Sequence, residues 1–266
     1  VSYVYEGDFL TSLRAPVLRK HLAPGMRTLE IGAYTRPTLW RPDFDAHFLD
    51  FFSTEELQEQ CRAGNGDPES VVPVDYVVRG EDYLSALDGT FDVVIANHVM
   101  EHIRNPIAWL IMIGATVREG GTAFISLPDK RVSFDKFRDE TSIAHILCDY
   151  LIKGRDLESE HCLETEIFYD RQYIKAERSL ETSLSLDRIK SAENRFHPGI
   201  HCHVFNGSNF LNKIMNPLIY MKLIPWSVLD YVEEPRAGEF YTVLKKCDPQ
   251  TDMTAEDFFS AVGHIV

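Results

Sequence analysis

Phe91-Asp92-Val93-Val94-Ile95-Ala96-Asn97 is an almost unbroken apolar run that stops at an amide. A run of this kind suits a strand covered on both faces, as in parallel sheets flanked by helices. Strand-like and helix-like stretches alternate around it. Met26 to Ile31 reads as a strand running into Gly32, and His47 to Asp50 as a second strand ending in an acid. Ser53 or Thr54 can cap a helix from Glu55 to Arg62, because a hydroxyl satisfies a free amide of the first turn. Residues 63–68 are a loop by composition, and Val74 to Val78 is a third strand. The apolar run is the fourth strand. A helix from Pro106 to Arg118, stopped by Gly120-Gly121, and a strand from Thr122 to Leu127, ended by Pro128, complete the alternation. The pattern predicts an α/β fold with a Rossmann-like, doubly wound, mostly parallel sheet.

The alternation then breaks. Residues 1–24 read as an N-terminal helical segment, 25–130 as the core, and 131–198 as a polar helical insertion or cap. Ile167, Ile174, Leu180 and Leu184 give that insertion a thin apolar stripe at roughly helical spacing. Residues 199–247 return to the core through a helix from Ser208 to Met215. Two strands follow, Trp226 to Val232 and Glu239 to Leu244, joined by the turn Pro235-Arg236-Ala237-Gly238 as an antiparallel hairpin. Residues 248–266 are a C-terminal tail.

Composition narrows the partners. A formal net charge of −14 over 266 residues disfavours nucleic acid. The longest apolar run, Ile107 to Val117, is too short to span a bilayer. Five widely spaced cysteines, with no CxxC pair and no basic, apolar opening segment, fit a reducing cytoplasm better than a disulfide framework. The expected ligand is a small molecule.

A strand ending Glu30-Ile31-Gly32 opens the carboxyl edge of such a sheet, where ligands bind. Asp50, at the next strand end, can accept hydrogen bonds from ribose hydroxyls. That pair alone also fits a nicotinamide-dependent oxidoreductase. A dinucleotide enzyme, however, needs G-x-G-x-x-G to seat a pyrophosphate. The loop here is Gly32-Ala33-Tyr34-Thr35-Arg36-Pro37, with one glycine, and Glu30 would repel phosphate.

Leu29-Glu30-Ile31-Gly32, the segment Phe91 to Ile103 with Asn105-Pro106, and Arg118-Glu119-Gly120-Gly121-Thr122 together resemble, in order and spacing, motifs of the class I S-adenosylmethionine-dependent methyltransferases. The resemblance covers roughly residues 25–130 and 203–246. Arg36-Pro37 and the insertion are similar to a subgroup associated with bacterial surface polysaccharide pathways. The resemblance implies that Glu30, Gly32 and Ala33 line the methionine part of the cofactor. It implies that Asp50 binds the ribose, that Phe51 lies beside the adenine, and that Glu81 or Asp82 meets the adenine amine. Asn97 and His98 would close the site near the sulfonium. Tyr34 stands where the family's second glycine is usual, and the expectation is that it folds over the cofactor.

Methyl transfer is an in-line displacement that rests on alignment of the nucleophile. A hydroxyl nucleophile also needs a base, or a metal that lowers its pKa. The candidate catalytic groups are His98, His145, Asp149, His201 and His203. His98 and His102, four apart, are placed on one helix. His145 and Asp149, i and i+4, share a helix face, and His201 and His203, alternating on an extended chain, share another face. The expectation is that both segments converge over the sulfonium. His145, Asp149, His201 and His203 could instead hold a divalent metal. Arg131, Lys136 and Arg138 could contact an anionic group of the acceptor. The activity expected is O-methylation of a sugar or sugar-phosphate. N-methylation of a small amine, or a non-catalytic binding or partner subunit, is the alternative. The insertion could also serve as a homodimerisation arm.

Overall fold

In the computed structural model, which describes residues 9–79, 83–152, 161–165 and 200–247, seven strands form one mixed sheet. They are β1 (Arg27–Ile31), β2 (Asp45–Asp50), β3 (Tyr76–Val77), β4 (Phe91–Asn97), β5 (Val117–Pro128), β6 (Trp226–Glu234) and β7 (Glu239–Lys246). The order is β3-β2-β1-β4-β5-β7-β6. Pairings from β3 through β5 are parallel, whereas β7 is antiparallel to both β5 and β6. The alternation and the terminal hairpin predicted from sequence are both present. The chain moves outward from β1 on one side and from β4 on the other. The carboxyl ends of β1 and β4 therefore flank the switch point, where open α/β sheets bind ligands.

β4 shows why the sheet is double-faced. Val93 and Ile95 belong to one buried cluster, with Ala15, Val17 and Leu18 of α1 (Phe9–Leu18). Val94 and Ala96 belong to the other, with Ile107, Leu110 and Ile113 of α3 (Pro106–Thr116). Successive side chains of a strand point to opposite faces, so an unbroken apolar run feeds two cores. Between these helices in sequence lies α2 (Thr54–Ala63). Its cap is Ser53, whose hydroxyl accepts from the Glu56 amide while the Glu56 carboxylate accepts from the Ser53 amide. α3 starts with Pro106 in its first turn and the Asn105 side chain accepting from the Ala108 amide. Trp226 of β6 ties the hairpin to α3 through a 2.8 Å hydrogen bond from its indole nitrogen to the Leu110 carbonyl.

The junction of α3 and β5 differs from expectation. α3 ends at Thr116 and β5 begins at Val117, before Gly120-Gly121. The glycines do not stop the helix; they sit in an irregularity of the β4–β5 register, where Phe91 pairs with Val117 but Val93 pairs with Thr122. After β5 comes α4 (Ile143–Leu151), capped by Ser142. The predicted helix beginning at Ser208 is α5, which starts at Gly207–Asn209, widens into a π-helix over Phe210–Met215 and ends with Asn216–Tyr220. Most of the insertion lies outside the described residues, its apolar stripe included, as does the tail from 248. No disulfide joins any of the five cysteines. No helix among the described residues is long and apolar enough to cross a membrane.

Candidate active site

The cleft at the switch point is lined by Arg14, Glu30, Gly32, Tyr34, Asn97 and His98, among others, and encloses about 310 Å³. Glu30, at the end of β1, is buried. Its carboxylate accepts from the Thr38 amide and the Thr38 hydroxyl, both at 2.7 Å, from the Asn97 amide group at 3.1 Å, and from the Leu39 amide at 3.4 Å. Burial pushes its pKa up, and the hydrogen bonds only partly oppose this. Glu30 thus pins the far end of the loop that begins at Gly32. That loop turns through Gly32 (φ +69°) and Tyr34 (φ +52°). Tyr34 takes the left-handed conformation that a second glycine would adopt without strain. Its ring also packs against the small cluster of Leu57, Cys61 and Val71 beside α2.

Asn97 closes β4. Its amide nitrogen donates to Glu30 and, at 2.8 Å, to the Thr38 hydroxyl, while its oxygen accepts from Ser126 at 3.0 Å. His98 follows with φ +54°. It is therefore not on a helix with His102, as the spacing suggested; a 3-10 turn begins only at Met100. His98 Nε2 lies 2.5 Å from Glu239 Oε2, at the start of β7. Glu239 is buried and also accepts from Arg14 Nε at 3.0 Å and Nη2 at 2.6 Å. Burial alone would raise the Glu239 pKa, but His98 and Arg14 outweigh it and hold the carboxyl below its ordinary value. Burial and the negative charge of Glu239 push the nearby Tyr241 phenol up.

Asp50 ends β2. It accepts from the Phe52 amide at 3.0 Å, and burial raises its pKa. Phe51 is 42% exposed, packed edge-on to Phe52, with the Arg79 guanidinium 6.0 Å from its ring centre. Ala33 is buried in the loop. Glu81 and Asp82 lie outside the described residues.

The predicted acceptor groups separate into two clusters. His145 and Asp149 do meet on α4, at 3.3 Å, and His203 lies 3.8 Å from the same carboxylate. The rings of His145, His161 and His203 pack together, with centroids 4.9–5.5 Å apart. His201 is elsewhere: its Nδ1 is 2.6 Å from Asp135, and its ring meets His102 and Phe134. The shared face expected of His201 and His203 fails because residues 201–205 are not a regular strand. The pleat that would align i and i+2 is missing.

Arg138 is also placed differently from the expectation. It is buried, donating to Asp135 at 3.0 Å, to the His201 carbonyl at 2.8 Å and to Glu164 at 2.9 Å, so its guanidinium serves the interior. Arg131 pairs with Asp129 and, at 3.0 Å, with Glu233. Lys136 is exposed, its ammonium 4.9 Å from the Phe137 ring centre. Arg14, Glu239 and His161 were not singled out in the sequence. Arg14 did carry a signal, as the lone cation in the apolar helix Phe-Leu-Thr-Ser-Leu-Arg-Ala-Pro-Val-Leu.

Sheet order, a cleft at its switch point and a buried acid anchoring the first loop define a Rossmann-like fold with a ligand cleft at the carboxyl edge of its sheet. A sequence model described as a methyltransferase domain matches residues 7–214, and the chain belongs to that family. It is an S-adenosylmethionine-dependent methyltransferase. Similar solved structures include a methyltransferase from Clostridium acetobutylicum (10% identity, 91% of this chain and 94% of that one, TM-score 0.47). Others are a putative methyltransferase from Listeria monocytogenes (11%, 90% and 99%, 0.46) and one from Aquifex aeolicus (12%, 87% and 88%, 0.44). No curated protein matches the sequence.

Proposed function

We propose that this enzyme methylates a hydroxyl of a small, sugar-like acceptor, with His98 as the base. The observation that carries this reading is the His98–Glu239 pair at the rim of the cleft. If Nε2–H donates to the buried Glu239 carboxylate, the lone pair of the neutral ring sits on Nδ1. In the reaction the acceptor oxygen attacks the methyl carbon, the carbon–sulfur bond breaks towards sulfur, and the hydroxyl proton passes to His98 Nδ1. Glu239 stabilises the imidazolium that results, and Arg14 holds Glu239 in place. A neutral amine can attack before losing its proton, so a buried carboxylate behind the base favours oxygen over nitrogen.

The cofactor would lie across the carboxyl ends of β1, β2 and β4. Glu30, Gly32, Ala33 and Tyr34 would face its methionine part, Asp50 its ribose, Phe51 its adenine, and Asn97 and His98 its sulfonium. A sugar or sugar-phosphate acceptor and a cytoplasmic role in surface polysaccharide synthesis rest on the subgroup resemblance. An anionic group of the acceptor would draw on Lys136, which is exposed, and on Arg131 only by competing with its pairs to Asp129 and Glu233. Dimerisation through the insertion belongs to the same reading and is checked by sizing chromatography. The deciding experiment screens sugar phosphates and nucleotide sugars for release of S-adenosylhomocysteine, with His98→Gln alongside. Release only with amine acceptors, or undiminished release by His98→Gln, would sink the proposal.

A further inference from the structure

Just beyond His98, the 3-10 turn Met100–His102 carries Glu101 into the interior, where it is 1% exposed. Neither of its carboxylate oxygens has a hydrogen-bond partner among the described residues. The nearest cationic candidates are His98 Nδ1 and His102 Nε2, each 3.9 Å from Oε1. That separation is too long for a hydrogen bond. A buried carboxylate without donors is costly, so the site is built for something that supplies positive charge.

Two imidazoles complete it. The rings of His102 and His201 meet edge-on with centroids 4.7 Å apart. Each ring has its Nδ1 engaged: His102 lies 2.9 Å from the Ile200 carbonyl, and His201 lies 2.6 Å from Asp135. A ring that donates from Nδ1 carries its lone pair on Nε2. Ligand atoms of Glu101, His102 and His201 all lie within 4.8 Å of one another. Ligands about 2.1 Å from a tetrahedral cation are about 3.4 Å apart, so side-chain shifts of about an ångström would close the set. Asp135 behind His201, itself held by Arg138 at 3.0 Å, is the outer carboxylate that commonly orients a metal-bound histidine.

We propose that Glu101, His102 and His201 bind a divalent transition-metal cation such as Zn²⁺. Three protein ligands leave coordination positions open. Because Glu101 also neighbours His98, at 3.9 Å, a cation held by Glu101 would be near the base. The inference deepens the proposed function: the cation takes the acceptor hydroxyl as a ligand and lowers its pKa, and the proton leaves to His98. This site differs from the His145, Asp149 and His203 cluster, and it uses only His201 of the four residues grouped from the sequence.

The test uses the full chain, stripped with a chelator and titrated with CoCl₂ by visible absorption and with ZnCl₂ by calorimetry. Wild type should show a ligand-field spectrum and a melting temperature raised by Zn²⁺. Glu101→Gln and His201→Gln should each lose one equivalent, or at least tenfold in affinity for it. His203→Gln, in the neighbouring cluster, should keep that equivalent. Metal-free Glu101→Gln should melt no lower than metal-free wild type, because the orphaned charge is gone. His102→Gln removes a third ligand and serves if another variant does not fold. Unchanged stoichiometry and affinity in the folded variants, or no cobalt spectrum from folded wild type, would overturn the site. S-adenosylmethionine binding, measured in parallel on metal-free protein, tests the methyltransferase reading separately.

Discussion

His98 and Glu239 are 141 positions apart in sequence and meet at 2.5 Å, the first just past the end of β4 and the second at the start of β7. The contact exists because β5 is paired on one side with β4 and on the other with β7, so both ends come to the same edge. His98→Gln keeps a polar group in the cleft but removes the base. Turnover should fall on the order of 10²–10⁴-fold, while calorimetric affinity for S-adenosylmethionine stays within a few-fold. A turnover number within twofold of wild type would exclude His98 as the base.

Glu239 also sets a pH dependence. Its native pKa lies below the ordinary value of 4.5. As pH falls through 4.5, unfolded chains take up a proton that native chains do not. The stabilisation is therefore complete above that value and lost as pH falls through the native pKa. Glu30 runs the other way, because burial raises its native pKa and the native state binds the proton first. Glu239→Gln should melt below wild type at neutral pH, with the gap narrowing steadily into acid. A gap independent of pH would show that the Arg14 and His98 contacts do not act through this charge.

Asn97 joins three groups, so its loss should be felt twice. In Asn97→Ala, Glu30 Oε1 keeps only the Thr38 hydroxyl as donor, and Ser126 loses its acceptor. Leaving buried polar groups short of partners costs about 1–3 kcal/mol, readable by urea denaturation. The loop from Gly32 to Thr38 loses part of its anchor, and affinity for S-adenosylmethionine should fall with it. Lost stability with unchanged affinity would mean that the loop does not need Glu30 to hold its shape.

The parts legible in sequence were those written in local periodicity. β4 announced a double-faced sheet, Ser53 announced α2, and Pro235 to Gly238 announced the hairpin. Of the candidate site residues read from the sequence, Glu30 and Asn97 at strand ends and His98 just beyond one do line the cleft. Arg14, 225 residues from its partner Glu239, could not be matched to it by any local pattern. The pairing of His201 with Asp135 rather than with His203 depends on an irregular backbone, which spacing rules assume away. Gly120-Gly121 looked like a helix stop because a register shift between β4 and β5 leaves no mark distinct from a turn.

Gly25 and Gly32 offer a controlled comparison. Both have positive φ, +82° and +69°, so alanine at either position should lose roughly 1–2 kcal/mol to the left-handed conformation. They differ in surroundings. A Cβ on Gly25 meets nothing within 4 Å, whereas one on Gly32 comes within 3.2 Å of Val99 Cγ2. Val99 follows His98 directly, so displacing it disturbs the base as well as the loop. Gly25→Ala should thus lose stability but keep cofactor affinity and turnover. Gly32→Ala should lose more stability and both functions. Paired denaturation and turnover measurements decide: equal losses in the two variants would mean that Gly32 serves only its backbone conformation and not the close approach between the first loop and the His98 turn.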